Sequence, residues 1–395
     1  MSLKVGILTL YYDNKNYGGL LQAYALQHYL EQSGVDSEQI CYRNDFSEAA
    51  FYKQNIKDST GIAKVKKTVR FVQFLLRSGL NSVMNLRIKG KTAVRDKAFY
   101  RFQNAVPHSE RVYDKSSIKE SLKKYSAFVC GSDVIWNAGI PAYISCLGFV
   151  PDGMKKVAYA PSLGTSVPPE WWLKEYKPFL EKLDAVSVRE QSINDYISGK
   201  IPKLGVKTMP DPTFLLTSAD WNNTIAKIPP KVSGKYMLCY LLGDSIAQRQ
   251  GIKALAEKNG LKIVTFPFIA DGKYRKCDSD FGDHKLFDVS PSEFLSLIKN
   301  SEIVVTDSFH AVVFSLIFHK NFRAVNRMNK NSSGMSGRIT NLLKAVGLSD
   351  FFVENNAEIA KNNINVKIDF ENADKAVEAM RAEGQKYLKD SLGLW

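Results

Sequence analysis

The run Glu302-Ile-Val-Val-Thr-Asp-Ser-Phe-His310, continuing into Ala-Val-Val-Phe-Ser-Leu-Ile-Phe-His319, constrains the fold more than any other part of the chain. Ile303, Val304 and Val305 are consecutive β-branched residues with no polar alternation, the pattern of a strand buried on both faces of a parallel sheet. From about Ala311 to Phe318 the side chains are mostly apolar and suit a buried helix. Between the two lie Thr306, Asp307, Ser308 and His310, all polar, at the carboxyl end of the strand. Open α/β sheets place their ligands in that crevice, and helix N-termini there offer unpaired N–H groups to anions. A simpler alternative has Asp307 or Ser308 capping the helix while His310 packs inside. Four polar residues in five exceed what a cap needs, so the segment is read as a site.

A chain of 395 residues is long for one core and predicts two domains of similar size. Its 45% apolar and 24% charged residues are those of a soluble globular protein, and no run approaches the roughly 18 apolar residues that cross a bilayer. Strand-like Val5-Gly-Ile-Leu-Thr-Leu10 begins with no signal peptide before it. Cys41, Cys130, Cys146, Cys239 and Cys277 have neither paired nor metal-ligand spacing. Together these features predict a cytoplasmic protein without a zinc site.

The net charge of +14 is concentrated. Lys53 to Lys124 holds 18 Lys or Arg against 5 Asp or Glu, nearly the whole excess. Within it Ile62, Val65, Val69, Val72, Leu76, Leu80 and Val83 recur at helical spacing, with Lys64, Lys66, Lys67, Arg70 and Arg77 mostly off that face. Such a helix suits an anionic membrane surface or an acidic partner, or packs its stripe on its own domain. No groove-reading or base-stacking motif accompanies it, which argues against nucleic acid.

Strand and helix patterns alternate along most of the chain, the mark of parallel α/β architecture. Strand 4–10, loop 11–19 and helix 20–32 come first, with Gly18-Gly19 placed to let backbone amides approach an anion. Strands 127–130, 157–160 and 185–188 each end in polar or small residues, among them Asp133 and Arg189, which describes one shared crevice. The two prolines of 207–213 suggest a crossing between domains. A second set follows: strand 236–242, helix 246–258, strand 262–266, helix 291–299 and strand 302–306. Ser290-Pro-Ser-Glu293 is a capping box with proline at the first helical position. The polar loop 271–285 is long enough to serve as a lid. The expected organisation is two Rossmann-like doubly wound α/β domains facing across a cleft. The first spans 1–210 with a basic helical insertion at about 46–124. The second spans 211–370, and a helix over 371–395 reaches back onto the first.

The blocks Asn16-Tyr-Gly-Gly with Leu21-Gln-Ala-Tyr-Ala-Leu-Gln27, Gly131-Ser-Asp-Val-Ile-Trp-Asn137, Ser187-Val-Arg-Glu190, Asp211-Pro-Thr-Phe-Leu-Leu216 and Thr306-Asp-Ser-Phe-His-Ala-Val-Val-Phe-Ser315 resemble the polysaccharide pyruvyl transferase family. They stand in the family's order over roughly residues 4 to 345. The basic insertion and the C-terminal helix fall outside them. The resemblance implies a GT-B-like fold. It also implies transfer of pyruvate from phosphoenolpyruvate, as donor substrate and without a cofactor, onto hydroxyls of a surface polysaccharide or its lipid-linked precursor. That chemistry needs cations or oriented amides for the donor's phosphate and carboxylate, an acid for the enol carbon or leaving phosphate, and a base for the acceptor hydroxyl.

By this resemblance His310 serves the phosphate or acts as general acid, and Arg189 grips a carboxylate or phosphate bidentately. Asp133 is a candidate base, and Trp136 and Asn137 are candidates for the sugar site. Each has a bland alternative: a surface ion pair for Arg189, a turn residue for Asp133, a core aromatic for Trp136. Many relatives carry arginine where this chain has Ser308, two positions before the histidine, although related sequences with serine there exist. Arg338, with Lys330 behind it, is the expected substitute, and Gly18 and Gly19 complete the donor set. No metal is expected, since no Asp pair or His cluster has ligand spacing. Two rival readings share the scaffold: a glycosyltransferase using a nucleotide-sugar, and a silent polysaccharide-binding protein in which Arg189 and His310 would not converge.

Overall fold

Short apolar runs become the central strands here, and the polar residues after them collect at the strands' carboxyl ends. The computed structural model describes residues 3–43, 60–61, 64–66, 68–69, 71–72, 89–137, 140–165, 167–225, 227–229, 231–269, 275–327 and 333–394. Two parallel six-stranded sheets, flanked by helices, form its frame. The first contains β1 (Lys4–Leu8), β2 (Asp36–Gln39), β3 (Ala127–Cys130), β4 (Lys155–Ala158), β5 (Ala185–Val188) and β6 (Lys207–Thr208), in the order β2-β1-β3-β4-β5-β6. The second contains β7 (Tyr236–Tyr240), β8 (Lys262–Thr265), β9 (His284–Lys285), β10 (Ile303–Thr306), β11 (Phe322–Val325) and β12 (Phe352–Val353), in the order β12-β11-β10-β7-β8-β9. Strands β3, β7, β10 and β11 are buried at every residue, which is why their sequences lack alternation. Strand order reverses between β1 and β3 in one sheet and between β7 and β10 in the other, and ligand crevices open at such points.

The main helices are α1 (Tyr17–Gln32), α2 (Lys89–Ala105), α3 (Glu170–Leu180), α4 (Gln191–Lys200), α5 (Ile246–Lys258), α6 (Pro291–Asn300), α7 (Phe309–Ile317), α8 (Ser333–Ala345) and α9 (Phe370–Leu392). Helix α1 starts three residues earlier than its apolar pattern suggests. Asn16 adopts extended backbone angles and its side chain accepts the Gly19 N–H at 3.3 Å, so both glycines enter the first turn. At α6 the capping box forms as the sequence predicts: Ser290 Oγ accepts the Glu293 N–H at 3.1 Å and Glu293 Oε2 accepts the Ser290 N–H at 2.7 Å.

Two segments take on definite structure. Residues 207–213 add the edge strand β6 to the first sheet, and Pro212 then starts a short 3-10 turn capped by Asp211. The described part of the 271–285 segment, from Arg275 onward, is anchored in the second half. It supplies β9 and a buried ion pair, Arg249 Nη2 to Asp278 Oδ1 at 2.9 Å. Most of the basic amphipathic stretch lies outside the described residues. Its described members Val65, Val69 and Val72 are exposed.

Two features join the halves. Tyr17, in α1, inserts into an aromatic cluster of the second half, stacking on Phe294 at 4.9 Å and meeting Tyr240 and Phe266 edge-on; its hydroxyl donates to Val289 O at 2.8 Å. Helix α9 lies against the first half, where Tyr387 Oη donates to Ala158 O at 3.0 Å and Arg381 Nε to Phe214 O at 3.0 Å. Among the described residues no helix is long and apolar enough to cross a membrane.

Candidate active site

Strand β10 delivers the central histidine. Thr306 ends the strand with its hydroxyl on Tyr240 O at 2.5 Å and accepts the Ser308 N–H at 3.0 Å. The Asp307 carboxylate accepts the N–H groups of Leu242 and Gly243 at 2.6 and 2.8 Å, tying the end of β7 to that of β10. Asp307 is thereby occupied in holding the crevice's shape. Ser308 occupies the N-cap position of α7 without a capping side-chain bond, and His310 follows in the first turn, 8% exposed.

His310 meets two residues that follow strands of the first sheet, Arg189 after β5 and Asp211 after β6. Asp211 Oδ2 lies 3.5 Å from His310 Nε2 and 2.6 Å from Arg189 Nη1. The second carboxylate oxygen of Asp211 accepts the Thr213 N–H at 3.1 Å and hydroxyl at 2.8 Å. Arg189 also places Nε 3.3 Å from Glu190 Oε1 and its guanidinium over the Phe309 ring at 4.7 Å. Glu190 Oε1 takes a 2.6 Å hydrogen bond from Ser162. Arg189 and His310 therefore converge on one carboxylate oxygen, the opposite of what a silent cleft requires.

Two buried atoms in this cluster have no hydrogen-bond partner among the described residues, Arg189 Nη2 and Glu190 Oε2, and His310 Nε2 has only the 3.5 Å approach of Asp211 Oδ2. Buried polar groups are almost always satisfied, and a cluster of exceptions marks a place where something else completes the bonding. Electrostatics agree with the geometry. Burial alone would raise the Asp211 pKa, but His310, Arg189 and the Thr213 amide outweigh it and hold the carboxyl well below its usual range. Burial alone would lower that of Arg189, but Glu190, Asp211 and Asp133 outweigh it, so the guanidinium stays charged. Arg338, on α8, has its pKa pushed down to about 10 by burial first and then by Arg189, against Asp133 and Glu190, which act to raise it.

The other sequence-derived candidates divide. Gly18 faces the histidine directly: a Cβ there would lie 1.9 Å from His310 Nδ1, so this glycine makes room for the imidazole. A Cβ on Gly19 would come within 2.4 Å of Asn14 Nδ2 and 3.1 Å of Asp133 Oδ2, and its amide is already used by Asn16. Asp133 is 7% exposed and sits at φ 56°, ψ −164°, a region non-glycine residues rarely occupy, with its carbonyl accepting the Ser162 N–H at 2.8 Å. Trp136 belongs to the core instead of a sugar-binding surface. It is 0% exposed, its indole N–H donates to Ser145 O at 3.0 Å, and it packs against Trp172 and Tyr176. Asn137 turns its amide onto Leu163 O at 3.2 Å. Lys330 lies outside the described residues.

Asp211 and Glu190 are the residues that motif reading passes over, although both lie inside quoted blocks. The Asp211-Pro pair signals a turn cap, which Asp211 is through Oδ1, and its Oδ2 does the joining. Arg189, Asp211, Phe309 and Arg338 line a cavity of about 620 Å³ bounded by β6, α8 and α9. Among the described residues no group of three or more His, Cys, Asp or Glu stands together as a metal site.

The sequence profile described as Polysaccharide pyruvyl transferase matches residues 16–328. No curated protein sequence matches the chain closely enough to count as a relative. Among solved structures, an S. aureus MnaA-UDP co-structure aligns over 100% of this chain and 98% of its own, with 10% identity and a TM-score of 0.51. Methanocaldococcus jannaschii UDP-GlcNAc 2-epimerase in complex with UDP-GlcNAc and UDP aligns at 14% identity and a TM-score of 0.44, over 96% of this chain and 93% of its own. Acinetobacter baumannii MurG aligns at 10% and 0.44, over 98% and 100%. At these identities the first likeness is one of fold, two parallel sheets flanked by helices in keeping with a GT-B-like arrangement, and the other two carry no argument.

Proposed function

This chain belongs to the polysaccharide pyruvyl transferase family, and we propose that it transfers pyruvate from phosphoenolpyruvate onto two saccharide hydroxyls at the Arg189–Asp211–His310 cluster. The observation that carries this reading is the convergence of Arg189 and His310, from both halves of the molecule, on one carboxylate, with Arg189 Nη2 and Glu190 Oε2 buried beside it without partners.

The reaction sets the roles. A proton adds to the methylene carbon of the enol, leaving an electron-poor carbon next to the carboxylate. One acceptor hydroxyl bonds to that carbon and loses its proton. The carbon–oxygen bond to phosphate then breaks, inorganic phosphate departs with the electron pair, and a second hydroxyl closes the ketal and loses its proton. Arg189 and Arg338 supply fixed charge for the donor's carboxylate and phosphate, a planar fork matching either group. His310, with Asp211 3.5 Å from Nε2, is placed to give a proton at the enol or leaving group. Asp133 at the end of β3 is the proposed base for the acceptor. Gly18 leaves the space that the His310 ring fills, and Ser308 at the start of α7 leaves room for the donor beside it. The two domains are read as doubly wound and facing across this cleft.

The exposed Val65, Val69 and Val72 beside Lys64 and Lys66 suit contact with an anionic membrane, where a lipid-linked acceptor would reside. Loss of liposome binding at high salt supports this contact; absence of binding to anionic vesicles removes it.

The test of the donor is thermal stability with phosphoenolpyruvate, beside a nucleotide-sugar panel, for the wild type and His310→Ala. A ligand at about 100 times its Kd stabilises by roughly 2.7 kcal/mol. Stabilisation by phosphoenolpyruvate that disappears in the variant is expected. A shift with a nucleotide-sugar alone would overturn the reading.

A further inference from the structure

The cavity beside Arg189 is much larger than a three-carbon donor with one phosphate needs. At about 620 Å³ it continues outward from Arg189, Asp211 and Arg338 to a rim carrying Lys207, Asn341 and Glu383. These three side chains are exposed, and Asn341 and Glu383 form no hydrogen bond or ion pair among the described residues. The Lys207 ammonium lies over the Tyr387 ring at 5.9 Å. Phe214, Leu342 and Met380 supply apolar wall between the polar heads. An ammonium, a carboxylate and a carboxamide offer both donors and acceptors, spaced by apolar faces. That combination matches a ring that is hydroxylated at its edge and C–H on its faces.

We propose that this outer compartment is a pyranose site, and that α8 and α9 set which acceptor sugar the enzyme takes. Its walls come from both sides of the family-matched limit: Arg189, Lys207, Asp211, Phe214 and Phe309 fall within residues 16–328, whereas Arg338, Asn341, Leu342, Met380 and Glu383 lie beyond them. A sugar here would present its hydroxyls toward Arg189 and Glu190, whose Oε2 lacks a partner. The inference rests on the transfer reading above for calling that sugar the acceptor.

The test is saturation-transfer difference NMR on the full chain with the p-nitrophenyl pyranosides of glucose, galactose, mannose and N-acetylglucosamine, and p-nitrophenol as control. At least one is expected to show transfer to its ring protons. Glu383→Ala and Asn341→Ala should each weaken binding about fivefold, the loss of one hydrogen bond, and Met380→Arg should abolish it by filling the space. Stabilisation by phosphoenolpyruvate should persist in all three, which also shows that they fold. The proposal is overturned if no pyranoside gives ring-proton transfer with the wild type, or if transfer is undiminished in all three variants. A wild type that phosphoenolpyruvate leaves unstabilised would count against the donor assignment alone, since pyranoside binding is read separately.

Discussion

The imidazole of His310 occupies the volume that any side chain at residue 18 would need: a Cβ on Gly18 would stand 1.9 Å from Nδ1 and 2.4 Å from two ring carbons. Helix α1 of one half thereby seats the histidine of the other. Gly18→Ala is expected to lower transfer activity about 100-fold by displacing the ring, since small misplacements of a reacting group are that costly. Helix propensity favours alanine by about 1 kcal/mol, while overpacking costs about 1–3 kcal/mol, so stability should change little or fall modestly. Steady-state kinetics and thermal melting on the same preparation separate the two effects; full activity in the alanine variant would remove the seating role.

Asp211 is 1% exposed and shared by the Arg189 guanidinium and the His310 imidazole, so Asp211→Asn should cost about 3–5 kcal/mol. The sign of its pH dependence follows from the depressed pKa. A carboxyl whose folded pKa lies below its unfolded value contributes stability above the unfolded pKa, near 3.9, and loses it as pH falls toward the folded one. Urea unfolding should therefore give a constant gap between wild type and variant down to about pH 4 and a narrowing gap below it. A gap that closes already between pH 7 and 5 would point to another group.

Arg338 gives the opposite signature. Burial and Arg189 press its pKa down, so its charged form is disfavoured in the folded protein without donor. Arg338→Gln should leave the melting temperature unchanged or higher while reducing the stabilisation by phosphoenolpyruvate. A variant that melts lower and binds donor normally would mark Arg338 as structural.

Trp136→Ala should destabilise by about 3–5 kcal/mol, as for other large core aromatics, because the ring packs on Trp172 and Tyr176 and its N–H is held by Ser145 O. A variant of unchanged stability with a raised acceptor KM would return Trp136 to the sugar site.

What the sequence discloses follows the range of the interactions involved. The β-branched run before Thr306 and the capping box at Ser290 are local, and the strand and helix form where those residues place them. The order of strands within each sheet has no local signal. Nor does the meeting of Arg189, Asp211 and His310: Asp211 reads as a turn cap in its own neighbourhood, through Oδ1, and only the folded chain brings Oδ2 to the histidine. Trp136 misleads for a related reason. The family block suggests a sugar-site aromatic, while its burial depends on Trp172 and Tyr176, which arrive from α3. At Gly18-Gly19 a glycine pair suits an anion cradle by composition, but the space is used by the imidazole.

Tyr17 and Tyr387 carry a consequence for the order of assembly during synthesis. Tyr17 emerges early from the ribosome, yet Phe294 and the Val289 carbonyl that bury it are made more than 270 residues later. The Ala158 carbonyl waits similarly for Tyr387. Domains of nascent chains tend to fold as units, N-terminal first, whereas contacts of high sequence separation form slowly. The first sheet of this chain can pair its strands early but must hold an uncovered aromatic and an uncovered flank until α6 and then α9 have been translated. A pause or truncation before α9 would release an intermediate with native strands and exposed apolar surface, a substrate for chaperones before it is an enzyme.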